Sequence, residues 1–427
     1  MNLATFNILR DSSGDLCMED VRLADVAARY GTPTYIYSRA AVTKAFLQFD
    51  EALSQARAEL PYLICYAVKA NSNLAILNLL AQLGAGFDIV SGGELARVLA
   101  AGGDPKKTVF SGIGKTEAEI RYALSAGIKC FNVESEPELE RINRIAGEMG
   151  KRAPISLRVN PDVDAKTHPY ISTGLKNNKF GIAFDRARST YQHAATLGNL
   201  EIVGIDCHIG SQLSDAAPLL EAMTRIVDLA DQLRGDGIQL HHICPGGGIG
   251  ITYTDEPAIN LHHYANALQQ CIGDRPLELL LEPGRALVGN AGLLLSKVEY
   301  IKPTAAKNFL IIDAAMNDLI RPALYEARHE MVMVGAPIEG TPARLYDVVG
   351  PVCESADTLG CDRILAAREG DLLAILSAGA YSFAMASNYN SRPRPAEVLI
   401  DKHNARLIRE RETVEQLMAA EHIPDGL

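Results

Sequence analysis

Between residues 62 and 284 the chain counts out eight short apolar runs separated by stretches of helical periodicity. The runs are YLICYAVK (62–69), FDIV (87–90), TVFSG (108–112), KCFNVE (129–134), ISLRVN (155–160), IVGIDCHI (202–209), LHHICPG (240–246) and LELLLEPG (277–284). Between them lie amphipathic segments such as SGGELARVLAAGG (91–103), TEAEIRYALSAG (116–127) and EPELERINRIAGEMG (136–150). The last opens on Glu-Pro and stops on Gly, as helices prefer. Eight strand–helix units in succession predict an α/β fold of the closed, TIM-like (β/α)8 type. An open doubly wound sheet is the competing arrangement. It calls for a Gly-rich dinucleotide turn after the first strand, which this sequence lacks.

The pattern changes after residue 286. GLLLSKVEYIKP (292–303), NFLIIDA (308–314), ARLYDVVGPV (343–352), DLLAILSAGAY (371–381) and AEVLID (396–401) are short, β-branched or aromatic, and separated by turn residues. A chain of 427 residues exceeds one simple core. The expected division is a barrel domain over 36–285 and a mainly-β domain, a sandwich or barrel, over 286–427 with residues 1–35 added. A first barrel helix is expected near Arg39 to Leu60. A long segment, 164–184, rich in Gly, Asn and Lys, separates the fifth strand from the sixth; it reads either as a lid or as an ordinary surface excursion.

Composition narrows the function classes. Net charge is −11 without a basic run, so nucleic acid is not an expected partner. The N-terminal segment does not read as a signal peptide, and no apolar stretch reaches the ~18 residues of a membrane span. The eight cysteines lack CxxC or Cys/His spacing, so no metal site is expected. Cys65, Cys130, Cys207 and Cys244 fall within strand runs, where Cys behaves as a small core residue. A reducing cytoplasm is the expected setting.

In a barrel, functional groups sit at the C-terminal ends of the strands. Those ends carry Lys69, His208 with Gly210-Ser211, the triplet Gly246-Gly247-Gly248, and Glu282-Pro283-Gly284-Arg285. A lysine at the end of an apolar strand either snorkels to water or is kept for chemistry, since burial favours the neutral amine that attacks a carbonyl. Glycine-rich turns expose amides that cradle phosphate. An amine, a flat imidazole, a carboxylate and phosphate donors at one barrel mouth are the four things pyridoxal 5′-phosphate needs. Glu282 beside the ring nitrogen would keep it protonated and make the ring an electron sink; its plainer role is a salt bridge to Arg285.

YAVKAN (66–71), HIGSQ (208–212), GGGIG (246–250) and EPGR (282–285) resemble the fold-type III pyridoxal-phosphate decarboxylases, relatives of alanine racemase and ornithine decarboxylase. MNDLIRPALYEA (316–327), GPVCESAD (350–357) and AGAYSFAMASNYNSRPRPAEV (378–398) are similar to the branch of that family acting on diaminopimelate. The resemblance spans about residues 30 to 400. It implies decarboxylation of meso-2,6-diaminopimelate to L-lysine and CO2, the last step of lysine biosynthesis. Carried over, it makes Lys69 the cofactor-bearing lysine and His208 the ring-stacking group. Ser211, Gly246, Gly247, Gly248, Gly284 and Arg285 would hold the phosphate, and Glu282 the ring nitrogen. Arg285, Arg321 and Tyr325 would bind a substrate carboxylate, Glu354 the distal ammonium, and Tyr381 would lie near both phosphate and substrate. Cys353 would be the proton donor; alone, a cysteine more often reads as a buried core thiol. Cys353 and Glu354 would enter the site of a second protomer, which implies a homodimer with shared active sites.

Three rivals are separable by residue. A sister decarboxylase acting on ornithine, arginine or carboxynorspermidine takes a substrate without the second amino-acid head, and the ornithine enzymes usually carry Asp where Glu354 stands; Glu354 and the RPALY arginine both favour a distal carboxylate. A racemase places an arginine where Glu282 stands. A non-catalytic binding protein has no reason to keep Lys69, His208 and Cys353 together.

Overall fold

The computed structural model describes residues 2–57, 60–164, 179–337 and 340–426. The chain divides into two compact units, one of residues 43–251 and 257–287, the other of residues 1–42, 252–256 and 288–427.

In the first unit the eight expected strands form a closed parallel barrel: β1 (Tyr62–Ala67), β2 (Gly86–Ile89), β3 (Thr108–Phe110), β4 (Cys130–Val133), β5 (Ala153–Asn160), β6 (Leu200–Asp206), β7 (His242–Cys244) and β8 (Glu278–Leu281). Each pairs with the next, and β8 returns to β1 with Leu279 opposite Tyr62 and Leu281 opposite Ile64. The open doubly wound sheet is thereby excluded. The barrel interior is small and branched, with Leu63, Cys65, Val109, Cys130, Val203, Cys244 and Leu280 packed into one cluster, as the taper of eight strands requires. The four strand-run cysteines are all buried.

The helices start where the sequence can cap them. Ser91, Thr116 and Ser135 each accept the amide three residues on, from Glu94 (3.1 Å), Glu119 (3.3 Å) and Glu138 (3.3 Å). Thr116 and Glu119 reciprocate as a capping box, and Gly127 closes that helix in the left-handed region at φ 73°. These caps lie just beyond β2, β3 and β4, so they fix the turns at the C-terminal mouth of the barrel. The expected helix at 39–60 spans Arg39–Ala56.

Of the 164–184 segment, residues 165–178, including His168 and Lys176, lie outside the described residues, and so does any lid they form. Its exit is anchored: the Gly181 amide donates to Glu134 Oε2 (3.1 Å), and the Arg158 guanidinium stands 5.0 Å from the Phe180 ring.

The second unit is mainly β. One sheet runs in the order Thr358–Leu365, Arg344–Val349, Asn308–Ile312, Gly292–Pro303, Thr34–Ser38, Ala396–Asp401 and Asn404–Arg409; Leu372–Ile375 pairs off the long Gly292–Pro303 strand, and Met331–Met333 pairs with Leu372–Ile375. The N-terminal strand Thr34–Ser38 is buried throughout, antiparallel to one neighbour and parallel to the other. Ile36, Leu293, Leu295, Ala374, Leu376, Val398 and Ile400 form the core with Leu16, Met18 and Leu23. A separate three-stranded meander occupies Ile8–Arg22. Among the described residues no helix is long and apolar enough to cross a membrane.

Candidate active site

Lys69 lies in a 3-10 turn directly after β1. Its Nζ is 2.9 Å from Oδ2 of Asp88, a fully buried carboxylate near the end of β2. The lysine side chain itself is 39% exposed. The amine is therefore held by an acid at the barrel mouth rather than sunk in apolar surroundings, because β1 and β2 are neighbours and Asp88 points inward from an otherwise apolar strand.

Next to it stand three strand ends that no side chain could separate. A Cβ on Gly246 would meet the Cys207 carbonyl oxygen at 2.4 Å, one on Gly247 the Glu282 carbonyl oxygen at 2.1 Å, and one on Gly248 the Gly210 carbonyl oxygen at 2.4 Å. Gly246 (φ 79°) and Gly248 (φ 97°) also adopt the left-handed region. The turns after β6 and β7 are stitched together: the Leu213 amide donates to the Gly248 carbonyl and the Gly250 amide to the Leu213 carbonyl, both at 2.9 Å. The result is a backbone-lined cradle between β6, β7 and β8.

His208 forms part of its wall. The Gly247 amide lies 3.3 Å from His208 Nδ1, which accepts from it. Burial, with the charges of Arg158 and Lys69, pushes this imidazole well below its ordinary range, so it is neutral. The Arg285 guanidinium donates to Ser211 Oγ at 3.1 Å. Glu282 is buried and takes a different partner, the Asn132 side-chain amide at 3.3 Å, which also donates to Ser111 Oγ. Its carboxyl is pushed well above the usual range by burial, then by Asp88 and Asp206, with Lys69 and Arg158 opposing.

The barrel thus brings together Lys69, His208, Ser211, Gly246, Gly247, Gly248, Glu282, Gly284 and Arg285. Asp88, Asn132, Arg158 and Asp206 join them without having been singled out in the sequence. Each sits within an apolar strand run, which was the signal available: a polar side chain there needs a partner to be tolerated. Arg158 is buried against Glu134 at 3.2 Å.

Arg321, Tyr325, Cys353, Glu354 and Tyr381 belong to the second unit. The Arg321 guanidinium lies over the rings of Tyr253 (5.4 Å) and Tyr325 (5.6 Å), which leaves its planar fork oriented by two aromatic faces. Cys353 is exposed, which removes the core-thiol reading. Its amide donates to Asn390 Oδ1 (2.9 Å), and the Tyr389 hydroxyl donates to Glu354 Oε2 (2.9 Å). Asp357 shapes this turn by accepting the amides of Met316 (2.6 Å) and Val352 (2.7 Å).

The barrel residues fit pyridoxal phosphate on their own geometry: an amine at the mouth, a cradle a Cβ would fill, a neutral imidazole on its wall, and a buried acid beside it. The comparisons agree. A sequence model of the family described as "Pyridoxal-dependent decarboxylase, pyridoxal binding domain" matches residues 39–289. The chain is 58% identical to the diaminopimelate decarboxylase of Vibrio cholerae serotype O1, over 98% of this chain and 99% of that one. It is 59% identical to the diaminopimelate decarboxylase of Neisseria meningitidis serogroup A, over 95% and 98%. The crystal structure of diaminopimelate decarboxylase from Helicobacter pylori complexed with L-lysine superposes with a TM-score of 0.90 at 44% identity, covering 94% of this chain and 99% of that one. By fold, by site and by kinship the chain belongs to the diaminopimelate decarboxylase family of pyridoxal-dependent decarboxylases.

Proposed function

We propose that this protein removes CO2 from meso-2,6-diaminopimelate to give L-lysine, the last step of lysine biosynthesis, with pyridoxal 5′-phosphate as cofactor. The observation that carries the reading is the barrel mouth, where Lys69 with Asp88, the interlocked glycine turns and buried Glu282 meet. Domain roles follow the sequence division: 36–285 holds the cofactor, and 286–427 with 1–35 supplies substrate contacts.

Lys69 would carry the cofactor covalently. Amides of Gly246, Gly247, Gly248, Gly284 and Arg285, with the Ser211 hydroxyl, would hold its phosphate, and Tyr381 would lie near it. His208, uncharged, offers a face to the ring without adding a competing positive charge. Glu282 would face the ring nitrogen. Bound there, the cofactor supplies a conjugated ring that delocalises the electron pair left at Cα when the bond to CO2 breaks.

The substrate has an ammonium and a carboxylate at each end, so its far end needs an anion and a cation. Arg321 and Arg285, with Tyr325, suit the carboxylate because a guanidinium fork binds both oxygens. Glu354 suits the ammonium, and Tyr389 holds its carboxylate in place. The Cys353 thiol gives its proton to Cα, replacing the departed carboxylate. Cys353 and Glu354 act in the site of a second copy, so the active species is a homodimer, working in the cytoplasm.

The test is CO2 release from the cofactor-loaded protein offered meso-diaminopimelate, ornithine, arginine and lysine separately. Release from diaminopimelate alone, with lysine formed, is expected. Release mainly from ornithine or arginine would overturn the roles of Arg321 and Glu354.

A further inference from the structure

Glu282 alone would be enough to face a ring nitrogen, yet the barrel buries a second carboxylate beside it. Asp206 ends β6 directly opposite Cys244 of β7, and Glu282 follows β8. Ligand atoms of Asp206, Cys244 and Glu282 all lie within 4.8 Å of one another, and the three residues are 1%, 1% and 7% exposed. Asp206 Oδ1 has no hydrogen-bond partner among the described residues.

The charges around the pair are already matched. Lys69 is paired with Asp88 at 2.9 Å, and Arg158 with Glu134 at 3.2 Å. Those four face the pair together with the thiols of Cys130 on β4 and Cys244 on β7 and the Tyr191 hydroxyl, all three held neutral by burial. The remaining strand-end thiols, Cys65 and Cys207, are held neutral by burial. Both cations are thus committed to other carboxylates, and although Arg158 favours the ionised form of Asp206, and Arg158 and Lys69 that of Glu282, burial is the larger effect on each carboxyl. Two carboxyls this close and this dry do not both ionise.

We propose that Asp206 is a positioning residue for the cofactor site: it shares one proton with Glu282, and that proton passes from the Glu282 carboxyl to the ring nitrogen when the cofactor binds. The transfer is balanced, since Glu282 becomes the carboxylate and the nitrogen the cation it faces. The pocket then supplies the proton the electron sink needs instead of drawing it from solvent, and the ionised pair afterwards retains it. Burial, opposed by Arg158, pushes the Asp206 carboxyl up to about 7, and burial with the charges of Asp88 and Asp206 pushes the Glu282 carboxyl well above its usual range, in keeping with a shared proton.

This inference deepens the proposed role of Glu282, and its first measurement needs neither cofactor nor substrate. Infrared spectra of the cofactor-free protein are followed with pH through the protonated-carboxyl stretch, each variant subtracted from wild type. Glu94 and Asp318, at about 7 and about 6, cancel in the difference. Asp206→Asn should lower the midpoint of the remaining carboxyl by about two pH units, the size expected for two charges at this separation in protein of intermediate dielectric. Glu282→Gln gives the reciprocal shift and serves if the first variant does not fold. A midpoint that stays put in either variant, or a wild type without the band because a cation is bound there, overturns the shared proton. The second measurement is calorimetric binding of pyridoxal phosphate in buffers of differing ionisation enthalpy. Asp206→Asn should take up more protons than wild type on binding, and equal uptake overturns the transfer. Failure of the CO2 assay with the infrared shift intact would instead fault the decarboxylase reading.

Discussion

Among the described residues Lys115 is the most deeply buried cation in a salt bridge of the barrel, its side chain 1% exposed and its Nζ 2.7 Å from Glu138 Oε1. The same ammonium donates to the carbonyls of Gly112 (2.7 Å) and Asn132 (2.9 Å). Lys115→Met keeps the aliphatic stem and deletes all three bonds. Breaking one side of such a pair leaves an uncompensated buried charge, at a cost of ~3–5 kcal/mol. Glu138 also accepts the Glu134 amide at 3.0 Å, so it cannot simply turn outward. For a unit of this size, that loss lowers the melting temperature by about 10 °C, using ~2–4 °C per kcal/mol. Differential scanning calorimetry of the cofactor-free protein reads it directly. The double variant Lys115→Met with Glu138→Leu removes the stranded charge, although the Glu134 amide and the Gly112 and Asn132 carbonyls still lose these partners, so it should recover part of the loss. A single variant within 2 °C of wild type, or a double variant no better than the single, would refute the reasoning. Asn132, held through its carbonyl by Lys115, also donates its side-chain amide to Glu282, so Lys115→Met should weaken cofactor binding as well as stability.

Further outcomes follow from the geometry. Gly247→Ala places a Cβ 2.1 Å from the Glu282 carbonyl oxygen, so β7 and β8 must part; fluorescence titration should show pyridoxal phosphate affinity down at least ~10-fold, about 1.4 kcal/mol. Glu354→Ala should raise KM for diaminopimelate far more than it alters cofactor binding, and an unchanged KM would take this residue out of the substrate site. Cys353→Ala should slow turnover while leaving the visible band of the lysine-bound cofactor intact; full activity would rule the thiol out as the proton donor. His242 is buried, with its imidazole pushed down to about 3 by desolvation. Its folded value lies below the unfolded one, so the unfolded chain gains the proton first and stability is lost as pH falls below about 6.5. Relative to His242→Gln, wild type should therefore lose ~1.4 kcal/mol per pH unit between about 6 and 4 in urea titrations, and parallel profiles would contradict neutral burial.

The barrel was legible because each unit repeats the same two periods. All eight strand runs lie where alternation and turn residues put them, and the caps at Ser91, Thr116 and Ser135 are local chemistry readable from three or four residues. Lys69, the Gly246–Gly248 triplet and Glu282 stood out because each breaks its surroundings at a strand end. Asp88, Arg158 and Asp206 did not, although they are as close to the site. Their meaning depends on which neighbour across the barrel they face, and strand pairing at long range leaves no trace in a single sequence. The strands Met331–Met333, Thr358–Leu365 and Asn404–Arg409 were missed for a related reason. The first has only three residues, and the other two carry exposed charged side chains such as Asp362 and Arg406, which masks the apolar alternation.

The strand Thr34–Ser38 has a consequence for how the chain is made. It leaves the ribosome early, yet both strands that flank it, Gly292–Pro303 and Ala396–Asp401, come from the far end of the sequence. Between the two moments the whole barrel is synthesised. A fully buried, aromatic, β-prone pentapeptide must therefore wait with both its edges unsatisfied while a complete neighbouring unit emerges. Such non-local pairing is slow and exposes a sticky edge meanwhile. Truncation before residue 396 should thus yield a chain whose barrel segment is whole but whose N-terminal strand recruits other molecules, and chaperone dependence in the cell should track this one segment rather than the barrel.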